Sequence, residues 1–265
     1  MLANSVPIVK AEMVVEALLL KENLSLSVVQ VRTIMKDDLG LGYRMSRKVP
    51  VQGNSERCLV LRQQYAMHML PLLKEGKRIL NLDESWLNES NFTRQIWVPP
   101  QTPATVTLRS ISHRLALIAA LDTEGCVYYS LTQANTDQNV MLVFLVHLVE
   151  LLDSERPSWR QDTVLLLDGA RYHTGSKVRE YMRKLELEVI WSAPYSYSTA
   201  PIETVFATLK FGEINPEKKP TGKRSLHLIA EMVGQKLSQT PRSTYIRFWH
   251  RTTLNLYKYL YYERI

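Results

Sequence analysis

Cysteine is almost missing from this chain: Cys58 and Cys126 are the two thiols in 265 residues. Two are too few for a disulfide framework or a thiolate zinc site, and they point to a reducing compartment. Long apolar runs are lacking as well. The longest, Val140-Met-Leu-Val-Phe-Leu-Val-His-Leu-Val149, contains His147 and is followed by Glu150. It falls short of the ~20 residues that a membrane span requires, so it reads as a buried helix. No charged-then-apolar leader opens the chain, which implies an intracellular protein: nuclear in a eukaryote, otherwise cytoplasmic or nucleoid-associated. Internal repeats and low-complexity tracts do not occur.

The residues that are present suit a folded, basic protein. At 45% hydrophobic content, the chain can bury one large core and a small accessory domain. A net charge of +7 and a pI near 9.3 favour an anionic partner. The surplus is uneven. Residues 204–265 hold eleven Lys and Arg against four Asp and Glu, whereas residues 61–203 hold fourteen against sixteen.

Against that background, three carboxylates stand out. Asp83 follows Arg78-Ile-Leu-Asn-Leu, Asp168 follows Thr163-Val-Leu-Leu-Leu, and Glu203 follows Ala200-Pro-Ile. The first two end apolar strands and the third opens a helix. An acid at the carboxyl end of a strand is presented at the edge of a sheet, where α/β folds do their chemistry. Each acid alone is more commonly a turn former or helix cap. Three together repel one another unless a cation joins them. Carboxylate oxygen suits Mg²⁺ or Mn²⁺, and two such ions ~4 Å apart activate a water and stabilise the leaving oxygen of a phosphodiester. The constellation reads as phosphoryl transfer on nucleic acid.

Thirty-four residues separate Asp168 from Glu203, within the phrases Leu-Leu-Leu-Asp-Gly-Ala-Arg-Tyr-His173 and Ser192-Ala-Pro-Tyr-Ser-Tyr-Ser-Thr-Ala-Pro-Ile-Glu203. In these features the chain resembles the mariner-type transposases of the DDE superfamily, from about Leu26 to Lys210. The resemblance implies a DNA transposase that cleaves transposon ends and transfers the strand to target DNA with two Mg²⁺ or Mn²⁺ ions. Its implied partners are the terminal inverted repeats, target DNA and a second copy of the chain in a homodimer. It also implies the fold class: an α/β, ribonuclease H-like mixed sheet flanked by helices, behind a helix-turn-helix DNA-binding segment. Where the family usually has Asn after the second Asp and Asp-Leu-Asn-Pro before the Glu, this chain has Gly169 and Ser198-Thr-Ala-Pro201. Neither change removes a metal ligand.

The expected organisation is a helix-turn-helix-like segment over 1–41, a basic linker over 42–54, a catalytic domain over 55–215 and a basic, aromatic-rich helical tail over 216–265. In the first segment, helices are expected over 8–22 and 27–38, with a capping box at Ser27 and Gln30 and a stop at Gly40. Val28, Val31, Met35 and Leu39 fall on one face, leaving Gln30, Arg32, Thr33 and Lys36 outward. A plain helical hairpin fits that pattern too. By resemblance, the segment is the family's second helix-turn-helix, with the first missing or much reduced, and the outward set reads the major groove. In the linker, Arg44, Arg47 and Lys48 are available to phosphates or a minor groove. A helix is expected over 55–75, then strands at 78–83, 114–122 and 126–132, a helix at 138–152, a strand at 163–168, a helix at 175–186, a strand at 187–192 and the Glu203 helix. The proline-rich Trp97-Val-Pro-Pro-Gln-Thr-Pro103 is a surface loop or, as in the family, a loop reaching the partner subunit.

Around the acids, further roles stay open. Lys210, two helical turns after Glu203, is either a phosphate contact or a solvated charge. Glu84 competes with Asp83, but strand alternation lets only one of them face the site, and resemblance selects Asp83. His173 is a possible auxiliary that orients water, binds phosphate or makes a structural hydrogen bond. In the tail, Tyr245, Phe248, Trp249, Tyr257 and Tyr261 are expected to form a packed stripe beneath outward Arg242, Arg247, Arg251 and Lys258. Two other functions remain: a domesticated, catalytically weak DNA-binding protein, or a ribonuclease H-like nuclease.

Overall fold

The computed structural model describes residues 10–41, 50–88, 114–210 and 223–263. Its contacts divide the chain into two compact units, Met1–Val49 and Pro50–Ile265.

In the first unit, α1 (Ala11–Glu22) ends at Asn23, which takes the left-handed conformation. Ser27 then caps α2 (Val28–Thr33) in a full capping box with Gln30, satisfying donors that the first helical turn leaves free. The helix runs on as a wider π turn over Ile34–Asp38 and stops before Gly40, at φ +63°, a conformation favouring glycine. Val31 is buried, and Val28 and Met35 are half-buried. Leu39 is exposed, against expectation, because a π turn breaks the helical period and rotates the residues after it off the apolar face.

The second unit opens with α3 (Glu56–Lys74), capped by Ser55. The sheet comes next: β1 (Arg78–Asn88), β2 (Arg114–Asp122), β3 (Val127–Thr132), β4 (Thr163–Leu167) and β5 (Glu188–Trp191), in the order β3-β2-β1-β4-β5. The β1/β2 and β2/β3 pairs are antiparallel, whereas β1/β4 and β4/β5 are parallel. The helices are α4 (Gln138–Glu155), α5 (Ser176–Lys184), α6 (Pro201–Lys210), α7 (Lys223–Gln239) and α8 (Arg242–Leu260).

One boundary corrects the sequence reading in a way that shapes the site. β1 does not end at Asp83; it runs to Asn88, because β2 pairs with it from Leu80↔Asp122 to Asn88↔Arg114. On its other side the β4 ladder stops at Asn81↔Leu166. Two residues beyond that last pair lie Asp83 on β1 and Asp168 after β4, at equivalent register across the gap.

Alternation gives the sheet two apolar faces. Ile79, Leu117, Ala119, Leu121 and Leu166 join the core shared with α3, α6, α7 and α8. Leu80, Leu82, Ile118, Leu165 and Leu167 join the core beneath α4 and α5. The C-terminal helices therefore belong to the same compact unit as the sheet. In α8 the buried stripe is Tyr245, Trp249, Thr252, Leu256 and Tyr259, spaced three or four residues apart as one helix face requires. Tyr257 and Tyr261 are exposed, correcting the expected stripe, and Arg242, Arg247, Arg251 and Lys258 face solvent as expected. The Trp249 indole donates to Asp122 O at 2.7 Å. At the β2–β3 turn, Gly125 has φ +81°, and a Cβ there would meet Arg242 O at 2.7 Å, so only glycine lets the turn approach α8 this closely.

Candidate metal centre and DNA contacts

Asp83 and Asp168 meet across the gap beyond the β1/β4 ladder. One ligand atom from each, with one from His173, lie within 4.8 Å of one another. Asp83 Oδ1 accepts the Glu84 amide at 2.8 Å. Asp168 Oδ1 accepts the Ala170 amide at 2.9 Å and contacts His173 Nδ1 at 2.6 Å. Burial first, then the charges of Asp168, Glu203 and Glu84, push Asp83 up to about 7. Burial acts upward on Asp168 too, but the His173 and Ala170 hydrogen bonds prevail and hold it below the usual carboxylate range. Glu203, in the first turn of α6, is raised by burial and by Asp168, against the pull of Lys210. Glu203 stands outside the Asp83, Asp168 and His173 group whose ligand atoms lie within 4.8 Å, and acts on the two aspartates through its charge.

A divalent cation fits this donor set. Asp83 holds its charge poorly because burial and other acids surround it, and an ion between hard oxygen ligands removes that penalty. His173 is a weaker candidate ligand. Its ring is buried, with Nδ1 toward Asp168 and Nε2 3.0 Å from Glu84 Oε2, an ion-pair distance without hydrogen-bond alignment. Burial alone would lower His173; the two carboxylates win and push it up to about 9. A buried ring so engaged has no surface for a water or a phosphate.

Asn81 is a functional residue that sequence reasoning does not single out. Buried in β1 on the face of Asp83, it donates from Nδ2 to Leu166 O on β4 at 3.3 Å and accepts the Ile202 amide of α6 at 3.1 Å. One carboxamide thereby ties together the three elements that carry the acids, and satisfies an amide in the first turn of α6 that no helical carbonyl can reach. The signal available is a lone Asn inside an apolar strand. Glu84, which the sequence offers only as a competitor of Asp83, faces away from it, and its pairing with His173 escapes the sequence because it depends on how residues 171–173 turn back over the strand ends.

In the first unit, Thr33 and Lys36 are exposed. Gln30 is exposed as well, but its side-chain oxygen accepts from the Ser27 amide and hydroxyl at 2.9 Å, so its carboxamide is engaged at the cap. Arg32 pairs with Glu12 of α1 at 2.7 Å. Arg44, Arg47 and Lys48, and the 97–103 loop, lie outside the described residues.

Residues 78–220, more than half of the chain, match the family model described as DDE superfamily endonuclease. No curated protein matches the chain. Among solved structures, the chain is similar to the Mos1 mariner paired end complex with Mn, at TM-score 0.72 and 23% identity over 95% of this chain and 77% of that one. It is similar to the Mos1 strand transfer complex, at TM-score 0.70 and 21% identity over 96% and 78%. The Mos1 catalytic domain matches at TM-score 0.60 and 21% identity over 82% of this chain and 97% of that one. These likenesses establish a shared fold.

Proposed function

Since the chain belongs to the DDE superfamily of endonucleases, we propose that it is a mariner-type DNA transposase, which cleaves transposon ends and joins the freed strand to target DNA. The observation that carries this reading is the convergence, within the family-matched region, of Asp83 and Asp168 at equivalent register with Glu203 coupled to both. Its substrates are double-stranded DNA at the terminal inverted repeats and at the target. Solved relatives of this fold include a Mos1 paired end complex with Mn and another with Mg, which supports use of those ions and assembly as a homodimer on paired ends.

Asp83, Asp168 and Glu203 would hold two Mg²⁺ or Mn²⁺ ions. Bound there, the ions supply Lewis-acid activation of the attacking oxygen and neutralise charge on the phosphodiester. The chain contributes position. β1 and the loop after β4 aim two carboxylates across one gap, α6 brings the third, and Lys210 offers a cation to phosphate beside Glu203. The exposed Thr33 and Lys36 support a DNA-facing role for α2 and the π turn. Neither the reading as a weak, domesticated DNA-binding protein nor that as another ribonuclease H-like nuclease gains support from the comparisons.

The test is strand cleavage of DNA bearing the element's own inverted repeats, with and without Mg²⁺ or Mn²⁺. Ion-dependent cleavage is expected, abolished by Asp83→Asn, Asp168→Asn or Glu203→Gln while the fold and DNA binding persist. Parent-like cleavage by Asp168→Asn would overturn the assignment.

A further inference from the structure

Glu84 is buried among apolar residues of the α4/α5 face, its side chain 5% exposed, and neither of its oxygens makes a well-aligned hydrogen bond. An isolated carboxylate in that position is costly. The polar groups facing it are His173 Nε2, at 3.0 Å, and the Tyr172 hydroxyl. The imidazole ring reaches Asp168 Oδ1 through Nδ1 at 2.6 Å, and the edge of Tyr172 packs against it with ring centroids 4.7 Å apart. Carboxylate, imidazole and carboxylate thus form a chain that wraps the strand ends, from the face of the sheet opposite the acids to the face that carries them.

We propose that Glu84 and His173 form a positioning pair which fixes the orientation of the Asp168 carboxylate for metal binding. The inference rests on the reading of Asp168 as a metal ligand. Asp168 has two oxygens, and the chain uses them differently. Oδ1 is anchored twice, by the Ala170 amide and by His173. Among the described residues, Oδ2 carries no such hydrogen bond, so anchoring Oδ1 sets the direction in which Oδ2 points. Without Glu84, the imidazole is free to rotate or to present the wrong nitrogen, because one ring nitrogen's partner decides what the other can donate. Hydrogen-bonded partners behind ligating carboxylates act in this way in metal sites generally. Glu84 itself, on the far face of β1, touches neither an ion nor DNA.

The experiment measures Mn²⁺ binding to the whole chain by calorimetry, with DNA absent, in the parent, Glu84→Leu, Glu84→Gln and His173→Leu. A glutamine keeps the shape of Glu84, and its amide can donate to Nε2, leaving Nδ1–H to donate to Asp168. Glu84→Leu and His173→Leu are therefore expected to weaken Mn²⁺ binding by about 10–100-fold, with Glu84→Gln restoring most of it. The double substitution is expected to cost no more than either single one, as for residues acting in series. A packing role alone would move the melting temperature and leave Mn²⁺ affinity unchanged. Should Glu84→Leu fail to fold, the nearly isosteric Glu84→Gln and the His173→Leu variant still decide. Parent-like affinity in His173→Leu overturns the inference while leaving the function standing. A parent chain that binds no Mn²⁺ removes both.

Discussion

At the scale of single residues, the chemistry turns on a carboxylate that the fold makes uncomfortable. Asp83 is pushed up to about 7, above the ordinary value of roughly 3.9, so the folded chain holds a proton there that the unfolded chain has released. Stability then falls as pH rises between those values. His173, pushed up to about 9, acts in the same direction: its stabilisation is full below the ordinary histidine value and is lost as pH climbs through 9. The metal-free protein should therefore melt lower at pH 8 than at pH 5, and Mn²⁺ should raise the melting temperature more at pH 8, where it need not displace a proton. Asp83→Asn removes the repulsion. Scanning calorimetry at pH 8 without metal should find it melting a few degrees above the parent, one kcal/mol being worth about 2–4 °C in a chain of this size. A variant melting well below the parent would show that Asp83 is held by favourable contacts instead. The acids are legible in sequence because each follows an apolar run that ends at a sheet edge or opens a helix. Glu84 is not, since its partner lies across a turn whose path no local pattern specifies.

At the scale of elements, positioning falls to Asn81. A polar residue inside an apolar strand looks like a flaw in the pattern, and its partners, Leu166 and Ile202, are 85 and 121 residues away. No periodicity announces it. Asn81→Leu strands the Ile202 amide and the Leu166 carbonyl contact, at a cost of about 1–3 kcal/mol. It should also slow cleavage beyond what the stability loss explains, by letting α6 and Glu203 shift. Urea denaturation read beside cleavage rates separates the two effects, and a variant as stable and as active as the parent would reduce Asn81 to filler. The α2 segment illustrates the opposite case. Its capping box is readable from Ser27 and Gln30, yet that same box engages the Gln30 carboxamide that the helical pattern assigns to DNA.

At the scale of the whole molecule, the last helix belongs to the core. Truncation after Pro241 removes Tyr245, Trp249, Leu256 and Tyr259, all buried. Trp249→Ala alone should cost about 3–5 kcal/mol, and the truncated chain should lose cooperative unfolding by calorimetry. Arg247→Glu with Arg251→Glu touches only exposed positions, so stability should hold within about 0.5 kcal/mol, while DNA affinity drops and its salt dependence flattens. A truncated chain that melts like the parent would return the aromatic stripe to the surface. The sequence reading finds the stripe but misplaces its far end, choosing Tyr257 and Tyr261, because aromatic identity alone does not tell which side of a helix faces inward.

The same packing bears on how the chain comes into being. α8 lies along α3, with the Gln63 amide donating to Leu260 O at a separation of 197 residues and Arg62 over the Tyr259 ring. A ribosome adding about 5–20 residues per second takes roughly 10–40 s to bridge that interval. Once β2 is complete at Asp122, the inner faces of β1, β2 and α3 are made while the cover that α8 supplies is not. The nascent chain thus carries a long-lived apolar surface, and its yield in cells should depend on chaperone supply more than its final stability would suggest.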